Sequence, residues 1–221
     1  MITGASGNLG RAVAQAFAQL GARLVLLDLK NNDGEESDTR LFLETNLFDA
    51  DSVEVVVKRA LERFGRIDVL CNIAGGFRMG PPVHETTDAE WDFLFDINAR
   101  SVVYTARAVV PHMVKAGGGR IVNVGAFAAQ RGAAAMGAYV ASKSAVIRLT
   151  ETMAAELRDK HINVNCVLPT VIDTPENRAA MPEADPRRWV APQDLAAVIV
   201  FLASDAARAV HGAALPVAGL S

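Results

Sequence analysis

The sequence predicts an α/β fold: one doubly wound parallel sheet of about seven strands with helices on both faces. Three observations carry that expectation. Short apolar runs of strand length alternate with stretches of helical periodicity along the whole chain, the pattern that successive βαβ units leave in a sequence. A hydrophobic content of 51% over 221 residues is enough to bury a sheet on both faces. The first apolar run leads directly into a glycine-rich turn and an alanine-rich helix. The length suits a single domain over residues 1–221.

Taken in order, the first strand is a stub of Met1, Ile2 and Thr3, short for a central parallel strand. Apolar runs then predict strands over Arg23–Asp28, Leu41–Glu44, Ile67–Asn72, Arg120–Val124, Ile162–Val167 and Ala214–Val217. Helical periodicity predicts helices over Leu9–Leu20, Asp51–Phe64, Asp88–Lys115, Tyr139–Asp159 and Pro192–Ala203, with Asp49 and Asp88 as caps. Two segments read as loops that serve a site. One is Gly75–Thr87, rich in Gly and Pro; the other is Thr174–Ala191, with several prolines and Trp189.

Composition narrows the function. A net charge of −3 leaves no basic footprint for nucleic acid or for an anionic membrane. No apolar run is long enough to span a bilayer and no signal peptide is visible, so a cytoplasmic protein acting on a small molecule is expected. Cys71 and Cys166 sit in apolar strand-like runs, as small buried hydrophobes. His84, His112, His161 and His211 have no ligand spacing, and no metal site is expected.

The turn reads TGASGNLG, with Gly4, Gly7 and Gly10 opening the first helix. Such glycines allow a tight turn and the close approach of a pyrophosphate, while the helix N-terminus offers free N–H groups and partial positive charge. Asp28 follows eighteen residues after Gly10 at the end of the next strand, where a carboxylate accepts from both hydroxyls of a ribose. Leu29 comes next, with no arginine to meet a 2′-phosphate, although Lys30 is close; NAD(H) is therefore expected over NADP(H). Tyr139 and Lys143 form a Y-x-x-x-K pair on one helix face. An ammonium so placed lowers the pKa of a phenol and prepares it for proton transfer.

With these three motifs in this order, the chain resembles the short-chain dehydrogenase/reductase family along its full length. CNIAG is similar to that family's N-N-A-G strand end, carrying Asn72, Ala74 and Gly75. Asn98, in FDINARS, matches the helix asparagine of the family's proton relay, and NCVLPTVIDTP resembles the segment that grips the nicotinamide carboxamide through Pro169, Ile172 and Thr174. The resemblance implies a Rossmann-like sheet and hydride transfer between a nicotinamide and a small carbonyl, hydroxyl or conjugated imine substrate. Tyr139 would be the acid/base, with Lys143 on the nicotinamide ribose and Asn98 supporting the relay. The cofactor would lie over Gly4, Gly7, Asn8, Leu9, Gly10, Asp28, Asn46, Leu47, Asn72, Ala74 and Gly75. A homotetramer paired through helices 88–115 and 139–159 is also implied.

Departures from the family pattern are equally informative. Asn8 stands at the usual second glycine, where a positive φ is expected of it. Asn46 replaces the aspartate that accepts from the adenine amino group, Thr170 replaces a glycine, and the tail reads AGL. The family's catalytic serine lies thirteen residues before the tyrosine; here that position is Ala126. The surrounding GAFAAQRGAAAMGAYVASK and the AGGF at Ala74–Phe77 are similar to dihydropteridine reductases, which act on a quinonoid imine system without that serine. The alternative is a nucleotide-binding sensor or scaffold with weakened chemistry.

Overall fold

The computed structural model describes residues 1–30 and 36–221. Its strands are β1 (Ile2–Thr3), β2 (Leu24–Asp28), β3 (Arg40–Glu44), β4 (Val69–Asn72), β5 (Gly119–Val124), β6 (Ile162–Pro169) and β7 (Ala214–Val217). Its α-helices are α1 (Asn8–Gln19), α2 (Ala50–Phe64), α3 (Asp88–Phe95), α4 (Ser101–Lys115), α5 (Gly137–Leu157), α6 (Pro175–Ala180) and α7 (Pro192–Leu202).

The strands form one parallel sheet in the order β3-β2-β1-β4-β5-β6-β7. Alternation along each strand divides the core between the two faces. Leu27, Leu70, Ile121 and Val164 pack under Val53 and Val57 of α2, Val109 and Met113 of α4 and Ala154 of α5. Their strand neighbours Cys71, Val122 and Val167, with Ile2, pack under Val13 of α1 and Leu195 and Ile199 of α7. Connections run outward in opposite directions from β1 and β4, so a crevice opens at their carboxyl ends.

The stub β1 is fully paired, with Ile2 and Thr3 in register against both β2 and β4, so its shortness breaks no ladder. Both cysteines are buried and free. Among the described residues no helix is long and apolar enough to cross a membrane.

Several boundaries differ from the sequence expectation. Asp49 does cap α2, accepting from Asp51 N at 3.0 Å. The cap of α3, however, is Thr87 and not Asp88: its hydroxyl accepts from Glu90 N at 3.3 Å. The expected continuous helix 88–115 is interrupted by a π-helical turn at Asp96–Arg100. Periodicity does not show a single inserted residue, because apolar positions resume their spacing beyond it. The proline-rich segment 174–191 is not all loop, since Thr174 accepts from Asn177 N at 3.2 Å and Pro175 stands at the first position of α6.

Candidate active site

The glycine turn is built by exclusion. A Cβ on Gly10 would lie 2.0 Å from the Gly4 carbonyl oxygen, and one on Gly4, at φ +64°, would lie 2.8 Å from Ala74 Cα. Side chains are therefore impossible where α1 meets the ends of β1 and β4. Gly7 is the N-cap, and no side chain caps α1. Asn8 does not take the positive φ expected of it: it is already the first helical residue. Its side chain crosses the cleft instead, Nδ2 donating to Glu176 Oε2 at 2.8 Å.

Asp28 ends β2 with Oδ2 accepting from Ser6 N and Oδ1 from Leu29 N, both at 2.8 Å. These two bonds fix the carboxylate and leave lone pairs free for further donors. A cavity of about 490 Å³ opens beside it. Gly4, Gly7, Asn8, Leu9, Gly10, Asp28, Asn46, Leu47, Ala74, Gly75 and Thr174 all line it. So do Ser6, Thr45, Phe48 and Ile97, which sequence reasoning missed because no motif marks them.

Other expected cofactor residues stand off that wall. Asn72 is buried in a polar chain beneath it: Thr105 Oγ1 donates to Asn72 Oδ1 at 2.9 Å, Asn72 Nδ2 to Asn123 Oδ1 at 2.8 Å, and Asn123 Nδ2 to Thr150 Oγ1 at 2.9 Å. Its side chain joins β4 and β5 to helices α4 and α5, and every amide in the chain is used. Pro169 ends β6, and Ile172 bridges to Val190. Thr170, in place of the glycine, donates to the Ala218 carbonyl at 3.0 Å and so ties β6 to the AGL tail. Asn46 Oδ1 accepts from Phe48 N at 3.0 Å, closing its own turn with one of the lone pairs expected for adenine.

Lys143 and Asn98 converge at Gly75, with Tyr139 one turn before Lys143 on α5. Asn98 lies in the π turn, where the helix widens. Its Oδ1 accepts from Gly76 N at 2.9 Å, while Nδ2 donates to Gly76 O and Ser142 Oγ, each at 3.0 Å. A Cβ on Gly75 would stand 2.9 Å from Lys143 Nζ and 3.1 Å from Asn98 Oδ1, so the AGG stretch is what lets these groups meet.

Lys143 Nζ is buried and donates to Val124 O at 2.8 Å. Burial pushes its pKa down to about 8, partly opposed by the neighbouring Cys166. Tyr139 carries the ring of Phe77 edge-on, centroids 4.9 Å apart at 87°. Burial pushes its phenol up to about 12. The depression by Lys143 expected from the spacing does not appear, and burial alone sets the direction of the shift.

Ala126 follows β5 in extended conformation, packed with Ala129, Val146, Ile147, Cys166 and Leu168. The position itself carries no hydroxyl. Ser142 Oγ donates to the Tyr139 carbonyl and Ser144 Oγ to the Ala129 carbonyl, both at 2.8 Å, so neither α5 serine has a proton to spare.

Fold and site together define a dinucleotide-binding oxidoreductase domain. Residues 4–219 match the family model described as enoyl-(acyl carrier protein) reductase. The chain is 34% identical to the D-threitol dehydrogenase of Mycolicibacterium smegmatis, covering 99% of this chain and 90% of the relative. It is 33% identical to the 3-oxoacyl-[acyl-carrier-protein] reductase of Thermotoga maritima, covering 99% and 95%. Among solved structures, NAD+-bound xylitol dehydrogenase superposes with a TM-score of 0.90 at 28% identity, covering 99% and 96% of the two chains. The NADH complex of the 3-ketoacyl-(acyl-carrier-protein) reductase from Brucella melitensis gives 0.87 at 30%, covering 99% and 95%. The chain belongs to the short-chain dehydrogenase/reductase family, a family of NAD(P)-dependent oxidoreductases.

Proposed function

We propose that this protein is an NAD(H)-dependent reductase whose best substrate is a conjugated imine or quinonoid ring, with Tyr139 as the acid. The dinucleotide reading is supported by fit. Gly4 and Gly10 exclude side chains where a diphosphate comes closest, and Asp28 has lone pairs left for ribose hydroxyls. A 2′-phosphate would meet that carboxylate, which favours NAD(H) over NADP(H). When bound, the dinucleotide supplies hydride at its nicotinamide ring.

The chain's own residues divide the remaining work. Lys143, held at Val124 O and admitted by Gly75, offers its other protons to the nicotinamide ribose. Tyr139, sheltered by Phe77, gives its proton to the reduced substrate and is the catalytic residue of the pair. Asn98, fixed by Gly76 and Ser142, supports the return of that proton through the main chain of the π turn. Thr174, on the wall of the cleft, would take the carboxamide of the nicotinamide.

The observation that carries the substrate class is the missing hydroxyl. Ketone reduction builds charge on an alkoxide oxygen, and losing one donor to it typically costs about 10²–10³ in rate. Ala126 supplies none, and Ser142 and Ser144 are committed elsewhere. A conjugated imine spreads the developing charge over its ring and needs no such donor, in keeping with the local likeness to dihydropteridine reductases. The test is NADH oxidation by the wild type and Tyr139→Phe on quinonoid dihydropterin and on a ketone panel. Turnover of the dihydropterin that collapses in Tyr139→Phe, with NADH binding retained, is the expected result; NADH binding without turnover of any substrate would point to a sensor or scaffold.

A further inference from the structure

Glu176 stands on the first turn of α6. Its partner Asn8 lines the cavity, as does Thr174 two residues before Glu176, so their 2.8 Å contact spans the cleft from glycine turn to substrate segment. The carboxylate is well supported as an anion. Its own backbone N–H, the Thr174 hydroxyl, the Asn8 amide and the charge of Arg11 hold it below the usual carboxylate range.

This places a carboxylate, with the Arg11 cation near it, beside the site of another anion. The α1 N-terminus has no side-chain cap, and the diphosphate of a dinucleotide would lie over it. Asn8 contributes a donor there, but that donor is turned to Glu176 and brings the carboxylate with it. Resting on the dinucleotide reading above, we propose that Glu176 is a positioning residue for cofactor exchange: pinned by Asn8, it opposes the diphosphate and keeps the dinucleotide loosely held. In an oxidoreductase whose turnover waits on cofactor release, such a charge speeds the cycle.

Glu176→Gln separates charge from geometry, because its amide oxygen still accepts from Asn8. Stopped-flow NADH fluorescence on the full chain should show affinity rising by about five-fold or more in Glu176→Gln, chiefly through slower dissociation. The gap should shrink as salt is raised from about 0.05 M to about 0.5 M, since a Coulombic opposition is screened and a packing change is not. Equal or weaker NADH binding in Glu176→Gln, or a gap indifferent to salt, would overturn the proposal. If neither protein binds NADH, the dinucleotide reading falls and takes this one with it.

Discussion

Lys143 and Val124 are joined by a hydrogen bond of 2.8 Å from the buried ammonium to the main-chain carbonyl at the end of β5. That carbonyl holds the charge beside the cleft at a cost to the fold. Because burial lowers the folded pKa to about 8, the ammonium destabilises the protein fully below that pH. The cost fades as pH rises from about 8 toward the unfolded value of 10.5, where the unfolded chain also loses its proton. Above pH 10 Tyr139 acts oppositely: its phenol, raised to about 12, stays protonated while the unfolded one ionises.

Lys143→Met should therefore stabilise the protein by about 1–3 kcal/mol at pH 7 while lowering turnover by about 10² or more. Denaturant titrations at pH 7 and pH 9.5 provide the measurement. The advantage of the variant should narrow at the higher pH, and a variant less stable than wild type at pH 7 would count against this reading of the site.

Asp28 should set cofactor choice. NADH is expected to bind at least about ten-fold tighter than NADPH, since a carboxylate facing a 2′-phosphate costs over about 1 kcal/mol. Asp28→Ala should narrow that gap. Calorimetry returning equal affinities for the wild type would reject the assignment.

Ala135 holds a φ of +57° two residues before α5 begins at Gly137, while its carbonyl accepts from Gly80 N at 2.8 Å. The left-handed region costs a non-glycine residue about 1–2 kcal/mol, against about 0.5–1 kcal/mol of extra chain entropy for glycine. Ala135→Gly should therefore stabilise by about 0.5–1 kcal/mol, visible as a higher denaturation midpoint with an unchanged slope.

The family resemblance also leads us to propose a homotetramer. Trp91 stacks on Phe95 at 4.5 Å yet stays partly exposed on α3, and Val114 is exposed on α4. Light scattering at micromolar concentration should return about four times the chain mass of 23.5 kDa; a monomer would sink the expectation.

The sheet was legible in the sequence because burial on one face or two writes a period directly into the chain. The succession of strands and helices follows from it, though β4 begins at Val69 and not Ile67, and β6 runs on to Pro169. Motifs with fixed spacing, such as Gly4 to Gly10 and Tyr139 to Lys143, carried the site for the same reason: their geometry is local. What escaped is not local. The Asn8–Glu176 contact joins residues 168 positions apart, and the chain from Thr105 through Asn72 to Thr150 crosses four elements. Spacing says nothing of where Asn72 points or that Asn46 closes its own turn. The phenol's environment was misjudged because a shared helix face specifies proximity to Lys143 but not the water both groups lose.

The most direct test of the account is the response of turnover to Ala126→Ser. On quinonoid dihydropterin the wild type should already be competent, and the added hydroxyl should leave kcat flat or lower it, since it meets no new charge and takes up pocket volume. A wild type inactive on dihydropterin, together with a gain of about ten-fold or more on simple ketones in Ala126→Ser, would contradict it and mark the protein as an ordinary carbonyl reductase with a weakened site.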